Sequence, residues 1–406
     1  MLNKIVHTIW KPKHPWRQMQ FDELSELYVS MLFRGLAISM TGLFVPIYMI
    51  KLGYSAGSFF FVVACYFTAR FFIFDIAAAY TVARIGPKHS MLIGYILLAC
   101  NTSMFLTIET INWPLWLLGV VWGGSMSYFI IPFHVDFSKV KHSVHGGKEL
   151  SYVQIMEKAG AALGPVIGGL IATYLGAQYL FLLATVLIVF GIIPLFATRE
   201  PTKVRQHISL YGLPFRRLKR DYFSVAAYGI ENTLSISLWP IFIALFVFVD
   251  STVYTKVGLL STAAIISGIL AAYAIGKTID NKRGRALLRA SAVTNSLIHL
   301  IRPFITTFSG AFMVTVSNDV VTTGYRMPYQ KGWYDAADDL PGYRIAYIAS
   351  VEWFSSLFKG LAWWFLLLIT AFFSDYTVVC IGFFIASIAS LLIMTERFKA
   401  LNPRRR

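Results

Sequence analysis

Five carboxylates interrupt long apolar runs: Asp75, Glu157, Glu231, Asp319 and Glu352. An ionisable group in hydrocarbon costs at least ~2.5–3.5 kcal/mol, so each must face protein or water-filled space. Burial in low dielectric favours the neutral carboxyl, and a carboxyl poised between its two forms can bind and release a proton as its surroundings change. All five are candidates for carrying protons. Glu231 ranks first, because it lies about eight residues into its run, next to Asn232 rather than a cation. Asp319 is expected to approach Arg302, Glu352 to approach Arg326, and Glu157 adjoins Lys158, so a positive charge opposes neutralisation at each. The competing role for Glu231 is a hydrogen bond that ties its helix to a neighbour.

Cations share the same runs. Arg34 and Asp75 each lie about seven residues from the same end of adjacent antiparallel segments, ~10–12 Å deep at 1.5 Å per residue, and are expected to pair. Arg70 sits deeper and has no evident partner at its height, which leaves it for an anionic group on a ligand. Arg70, Arg34, Asn232 and Asn318 form the candidate substrate-contacting set. A membrane enzyme would need a reactive cluster. The nearest approach to one is His142 and His145 with Asp136 and Glu149, but three lysines crowd that loop and no acidic residue stands at ligand spacing. A solvated loop explains it better, so no catalytic residue, metal or cofactor is expected. Cys65, Cys100 and Cys380 lie inside apolar runs as small core residues. The phosphate-binding glycine loop of an ATP-driven pump does not occur in the sequence.

The elements that hold these residues follow from composition. With 57% apolar and 14% charged residues in 406, the chain falls short of the roughly 25% charge of a soluble domain. Twelve segments are long enough to cross a ~30 Å hydrocarbon core as helices: 27–50, 55–82, 89–108, 113–134, 152–175 and 179–197, then 223–249, 253–279, 286–305, 310–329, 343–370 and 376–394. The two sixes flank a basic linker, 198–222, with a segment 1–26 before them and a basic tail 395–406 after them. Lys and Arg concentrate in alternate breaks, the linker and both termini, which places the termini in the cytoplasm and the chain in a plasma (inner) membrane. The net charge of +16 is accounted for by that topology, with no nucleic-acid partner implied. Segments 3, 6, 9 and 12 carry few or no charges and are expected to lie outermost. Glu157 and Glu352, in the fifth segment of each six, fit two parallel repeats about an axis normal to the membrane.

Segment five contains Gly160, Gly164, Pro165, Gly168 and Gly169 in the string GAALGPVIGGL. Glycines four apart let helices meet backbone to backbone, and the proline removes a helical hydrogen bond. With the six-plus-six layout and basic linker, this string resembles the fifth-helix motif of the major facilitator superfamily, most often seen in its proton-coupled antiporters. A second family motif, the loop after the second helix, is partly present. Arg84, Gly86 and Lys88 match it, whereas Ala79 and Ala83 replace a glycine and an aspartate. Its repeat copy keeps Gly276, Asp280, Arg283, Gly284 and Arg285 with one extra residue. In the family this loop is a cytoplasmic latch whose aspartate caps helix dipoles and pairs with basic residues. The resemblance implies an all-α membrane fold of twelve helices in two bundles. It also implies a monomer that moves a small solute by alternating access, with protons and membrane lipids as partners, and efflux as the expected direction. The aromatic load of 16% leaves a lipid or lysolipid flippase on the same fold as the alternative.

Overall fold

Long apolar stretches broken by glycine, proline and charge fold as helices, and the secondary structure is helical throughout the described residues. The structure is a computed structural model, and it describes residues 23–140, 146–196, 215–250, 252–278, 283–338, 340, 343–398 and 401. His142, His145, Asp280, segment 1–22 and linker residues 198–214 lie outside them, as do the side chains of Glu149 and Glu157.

A helix that continues through a bend is numbered once. The first half comprises α1 (Glu23–Gly42, continued by Val45–Lys51) and α2 (Ala56–Ala69, a π-helical turn Arg70–Phe74, then Asp75–Ile85). They are followed by α3 (Pro87–Leu106), α4 (Leu115–Val140), α5 (Gly146–Tyr174) and α6 (Ala177–Ile192). The second half comprises α7 (Phe215–Phe242), α8 (Val253–Thr278), α9 (Gly284–Ile301), α10 (Phe308–Asp338), α11 (Arg344–Ile369) and α12 (Asp375–Leu392). Nine stretches among the described residues are long and apolar enough to cross a membrane; they lie in α1–α4, α6–α8, α11 and α12. Polar side chains such as Lys158, Asn295 and Asp319 punctuate α5, α9 and α10.

Several helices extend past the expected bounds at the end where the linker attaches. α7 begins at Phe215, inside the stretch read as linker, because Leu218 and Tyr222 pack into the core there. α10 runs on to Asp338, burying Trp333 and Tyr334. Within the first half α1 packs on α5 and α6, α2 on α4, and α3 on α4 and α6; within the second, α7 packs on α11 and α12, α8 on α10, and α9 on α10 and α12. The halves meet where α5 packs along α8 and α2 along α11. Thus α3, α6, α9 and α12 pack principally inside their own halves.

The glycine string of α5 explains two of these contacts. A Cβ at Gly160 would strike the Leu32 carbonyl of α1, and one at Gly164 would lie 2.8 Å from the Leu36 carbonyl. On the opposite side, a Cβ at Gly169 would sit 2.6 Å from the Tyr254 carbonyl of α8, and Gly258 of α8 abuts the Pro165 carbonyl. Only glycine admits backbones this close. Gly168 lies against the Phe44 ring. The motif therefore fastens α5 to α1 and, across the halves, to α8.

Candidate functional site

A buried charge cluster between the halves starts with a local backbone feature. At the π-helical turn of α2, the Asp75 amide donates to the Arg70 carbonyl five residues back. That closure brings Asp75 round beneath Arg70, where an ordinary α-helix would hold the two side chains well apart around the axis. Arg70 then donates to Asp75 Oδ1 from Nε at 3.2 Å and from Nη2 at 3.1 Å. Nη2 also reaches Glu352 Oε2 of α11 at 2.9 Å. Two hydroxyls complete the carboxylate: Ser127 of α4 donates to Oδ1 at 2.6 Å, and Ser356 of α11 to Oδ2 at 2.7 Å. Arg70 and Asp75 are almost wholly buried. Trp353 stacks on Phe71 with centroids 4.8 Å apart and donates its indole N–H to the Phe71 carbonyl at 2.8 Å. The rearranged turn is thus clamped by the other half of the molecule.

This geometry corrects three expectations. Asp75 takes Arg70 as its partner where Arg34 was expected, and Arg70 is engaged by two carboxylates where it was expected to stand unpaired. Height arithmetic was adequate: Arg34 touches Met126 Sδ at 3.2 Å and lies 3.4 Å from the Phe129 ring centre, on the same turns of α4 that hold Ser127. The two side chains reach different faces of α4, and the arithmetic carries no azimuth. Glu352 likewise turns to Arg70, where Arg326 was expected.

A second buried cluster lies inside the second half. Glu231 of α7 is fully buried and receives Asn295 Nδ2 at 2.8 Å and His299 Nε2 at 3.0 Å on Oε1, with the Tyr325 hydroxyl on Oε2. Arg302 lies 3.2 Å from His299 Nδ1. A guanidinium can only donate, so Nδ1 accepts and the imidazole proton sits on Nε2, pointing at Glu231. Arg302 also donates to Ser235 at 3.1 Å and to Asn318 Oδ1 at 2.9 Å, where Asp319 had been expected as its partner. Asn232 is half-buried beside this cluster. His299 and Tyr325 were missed from sequence. Asn295, His299 and Arg302 share one helical face at spacings of four and three, a signal that was there to be read.

Asp319 faces the first half instead. Its Oδ2 lies 3.7 Å from Lys158 Nζ of α5, and the pair fits only because Gly268 of α8 has no side chain in their way. The matched positions of the family's loop do simpler work. Lys88 binds Glu26 of α1 at 2.9 Å, both buried, and Gly86 takes a φ of 90° that glycine tolerates. Arg285 binds Glu396 after α12 at 3.1 Å. Both pairs lie within one half. Arg84 and Arg283 are exposed, and Gly284 starts α9. At the end away from the linker, Lys256 and Thr252 donate to the exposed Asp250, holding its carboxyl down at about 2. Lys51 of α1 reaches the Asp250 carbonyl at 3.5 Å.

A bundle of apolar helices whose halves are joined by buried charge describes a multi-pass membrane protein of the transporter kind. The chain belongs to the Major Facilitator Superfamily, whose sequence profile matches residues 27–327. Among curated proteins it is 25% identical over 209 residues to Multidrug resistance protein 1 of Bacillus subtilis (strain 168), covering 50% of this chain and 51% of that protein. The chain thus aligns with about half the length of this relative. Its fold is similar to that of the E. coli fucose:proton symporter FucP, with a TM-score of 0.64 at 13% identity over 91% of this chain and 96% of the other. A structure of FucP in the outward conformation gives 0.66 at 14% identity with the same coverage.

Proposed function

We propose that this chain is a proton-coupled antiporter that exports a small solute by alternating access, and that the Arg70–Asp75–Glu352 cluster couples its halves. The carrying observation is the 2.9 Å bond from Arg70 in α2 to Glu352 in α11. Protonation of Glu352 converts that charge-assisted bond to a weaker one while Asp75 retains the arginine, so proton binding loosens the contact between halves and leaves Arg70 paired. Glu231 is placed otherwise. Its bonds run to α9 and α10 of its own half, which suits a residue that positions helices. A network of buried charge between the halves favours a polar solute over a lipid as cargo. The likeness to a multidrug resistance protein supports drug or metabolite efflux, and the likeness to a fucose:proton symporter supports proton coupling.

On this reading α5, α9 and α10 also cross the membrane, giving six crossings on each side of the linker, and both termini are cytoplasmic in a plasma (inner) membrane. The working unit is a monomer, with Arg34, Asn232 and Asn318 beside the solute path and Lys158–Asp319 as a second link between halves. No catalytic group or cofactor takes part. The test uses proteoliposomes with an imposed pH gradient and a panel of polar solutes that includes organic cations. The wild type concentrates at least one of them. Glu352→Gln equilibrates that compound but does not concentrate it, whereas Glu231→Gln lowers folded yield yet still concentrates it per folded molecule. Gradient-driven accumulation by Glu352→Gln at the wild-type rate would remove Glu352 from the coupling role.

A further inference from the structure

At the linker end of the second half, the start of α7, the start of α9 and the chain after α12 line an open cavity of about 660 Å³. Among the described residues five cations line it: Lys219 and Arg220 from α7, Arg285 and Arg289 from α9, and Arg397. One carboxylate, that of Glu396, is also present, and it is taken by Arg285 at 3.1 Å. The other four cations are exposed at the wall. The N-cap residue of α9, Arg283, makes no side-chain capping bond, so the backbone N–H groups of the first turn add positive potential at the same place. Thr395 and two apolar side chains also line it: Met394, and Phe223 with 49% of its surface exposed.

Depth decides what such a cavity meets. The sequence of α7 turns apolar only after Asp221, past Lys219 and Arg220, and the apolar span of α12 ends at Thr395, one residue before Glu396. The cations therefore stand at the level of the lipid headgroups, with Phe223 on the hydrocarbon side. We propose that this cavity is a binding site for the phosphate headgroup of an anionic phospholipid, held by Lys219, Arg220, Arg289 and Arg397 with its acyl chain along Phe223. Because the walls are α7, α9 and the end of α12, a bound lipid ties together three helices of the second half at the point where the linker enters it. A free phosphate shares the headgroup's charge but makes no use of Phe223.

The test is native mass spectrometry of the purified full chain in detergent, with dioleoyl phosphatidylglycerol or dioleoyl phosphatidylcholine added. The wild type should retain phosphatidylglycerol in preference to phosphatidylcholine, and retention should fall as salt is raised. Lys219→Gln/Arg220→Gln/Arg289→Gln/Arg397→Gln should weaken phosphatidylglycerol retention by about tenfold and leave phosphatidylcholine unaffected. Phe223→Ser should weaken it with all four cations in place. Equal retention of both lipids by the wild type, or salt-independent retention, overturns the proposal even if the fourfold variant does not fold. Displacement of the lipid by an equal concentration of inorganic phosphate also overturns it, showing a site for free anions.

Discussion

Asp75 tests whether the charge cluster between α2 and α11 is held by the bonds described. Its carboxylate accepts two N–H groups of Arg70 and the hydroxyls of Ser127 and Ser356, at 2.6 to 3.2 Å, with no exposure to solvent. Asp75→Asn keeps the volume but removes the charge. Hydrogen bonds to charged groups contribute about 1.5–3 kcal/mol against about 0.5–1.5 for neutral ones, so weakening the two bonds to Arg70 costs about 2–3 kcal/mol. Asp75→Ala removes every acceptor of that carboxylate and leaves Arg70 with Glu352 as its carboxylate partner, a loss of about 3–5 kcal/mol. In a Lys359→Met background, which removes the neighbouring cation, replacing Arg70, Asp75 and Glu352 together by leucine leaves none of these charges uncompensated, and such apolar replacements are neutral to stabilising by about 1–4 kcal/mol. Thermal denaturation of the detergent-solubilised protein should therefore order the variants as wild type or triple, then Asp75→Asn, then Asp75→Ala. Transport should be lost in the triple regardless of its stability. If Asp75→Ala melted with the wild type, or the triple melted below it, the cluster would not be organised around this carboxylate.

Three further outcomes follow from the interface between halves and its rim. Thr173 of α5 and Thr255 of α8 have hydroxyls 2.9 Å apart, so cysteines at both positions should cross-link under oxidant and block transport, with reductant restoring it. A full rate in the cross-linked protein would show that α5 and α8 do not separate during transport. Gly258→Val should lower folded yield far more than Gly53→Val, judged by fluorescence-detected size exclusion, because a side chain at 258 meets the Pro165 carbonyl whereas one at 53 meets open space and bears only the strain of its φ of 89°. Asp250 is held at about 2 by Lys256 and Thr252, below the ordinary carboxylate value of about 4. Its contribution is thus present above pH ~4 and lost as pH falls through 2, so the melting difference between wild type and Asp250→Asn should stay constant from pH 5 to 8. A difference that changes across that window would contradict the depressed value.

Layout and chemistry differ in how far the linear chain discloses them. Apolar length and the placement of basic residues are one-dimensional properties, and they are enough to define long membrane helices with a basic linker between two sets. The glycines of α5 were equally readable, since close packing leaves its mark as missing side chains at fixed spacing. Charge partners are a different kind of fact. Counting residues from a helix end fixes height, and it put Arg34 and Asp75 level, correctly. It does not fix azimuth, and α4 takes Arg34 on one face and Asp75 on another. One irregular turn has the same effect inside a single helix. Five residues separate Arg70 from Asp75, and regular α geometry gives no reason to join them. The π-helical closure does, and nothing in the string RFFIF announces it. The same turn also needs its partner half. Trp353 takes up the Phe71 carbonyl and Glu352 the second side of Arg70, so the local distortion and the interface stabilise each other. It follows that separation of α2 from α11 should strain the turn as well as break the ion pair. Glu352 is the one carboxylate of the cluster that keeps some exposure, 14%, and so the one a proton can reach first.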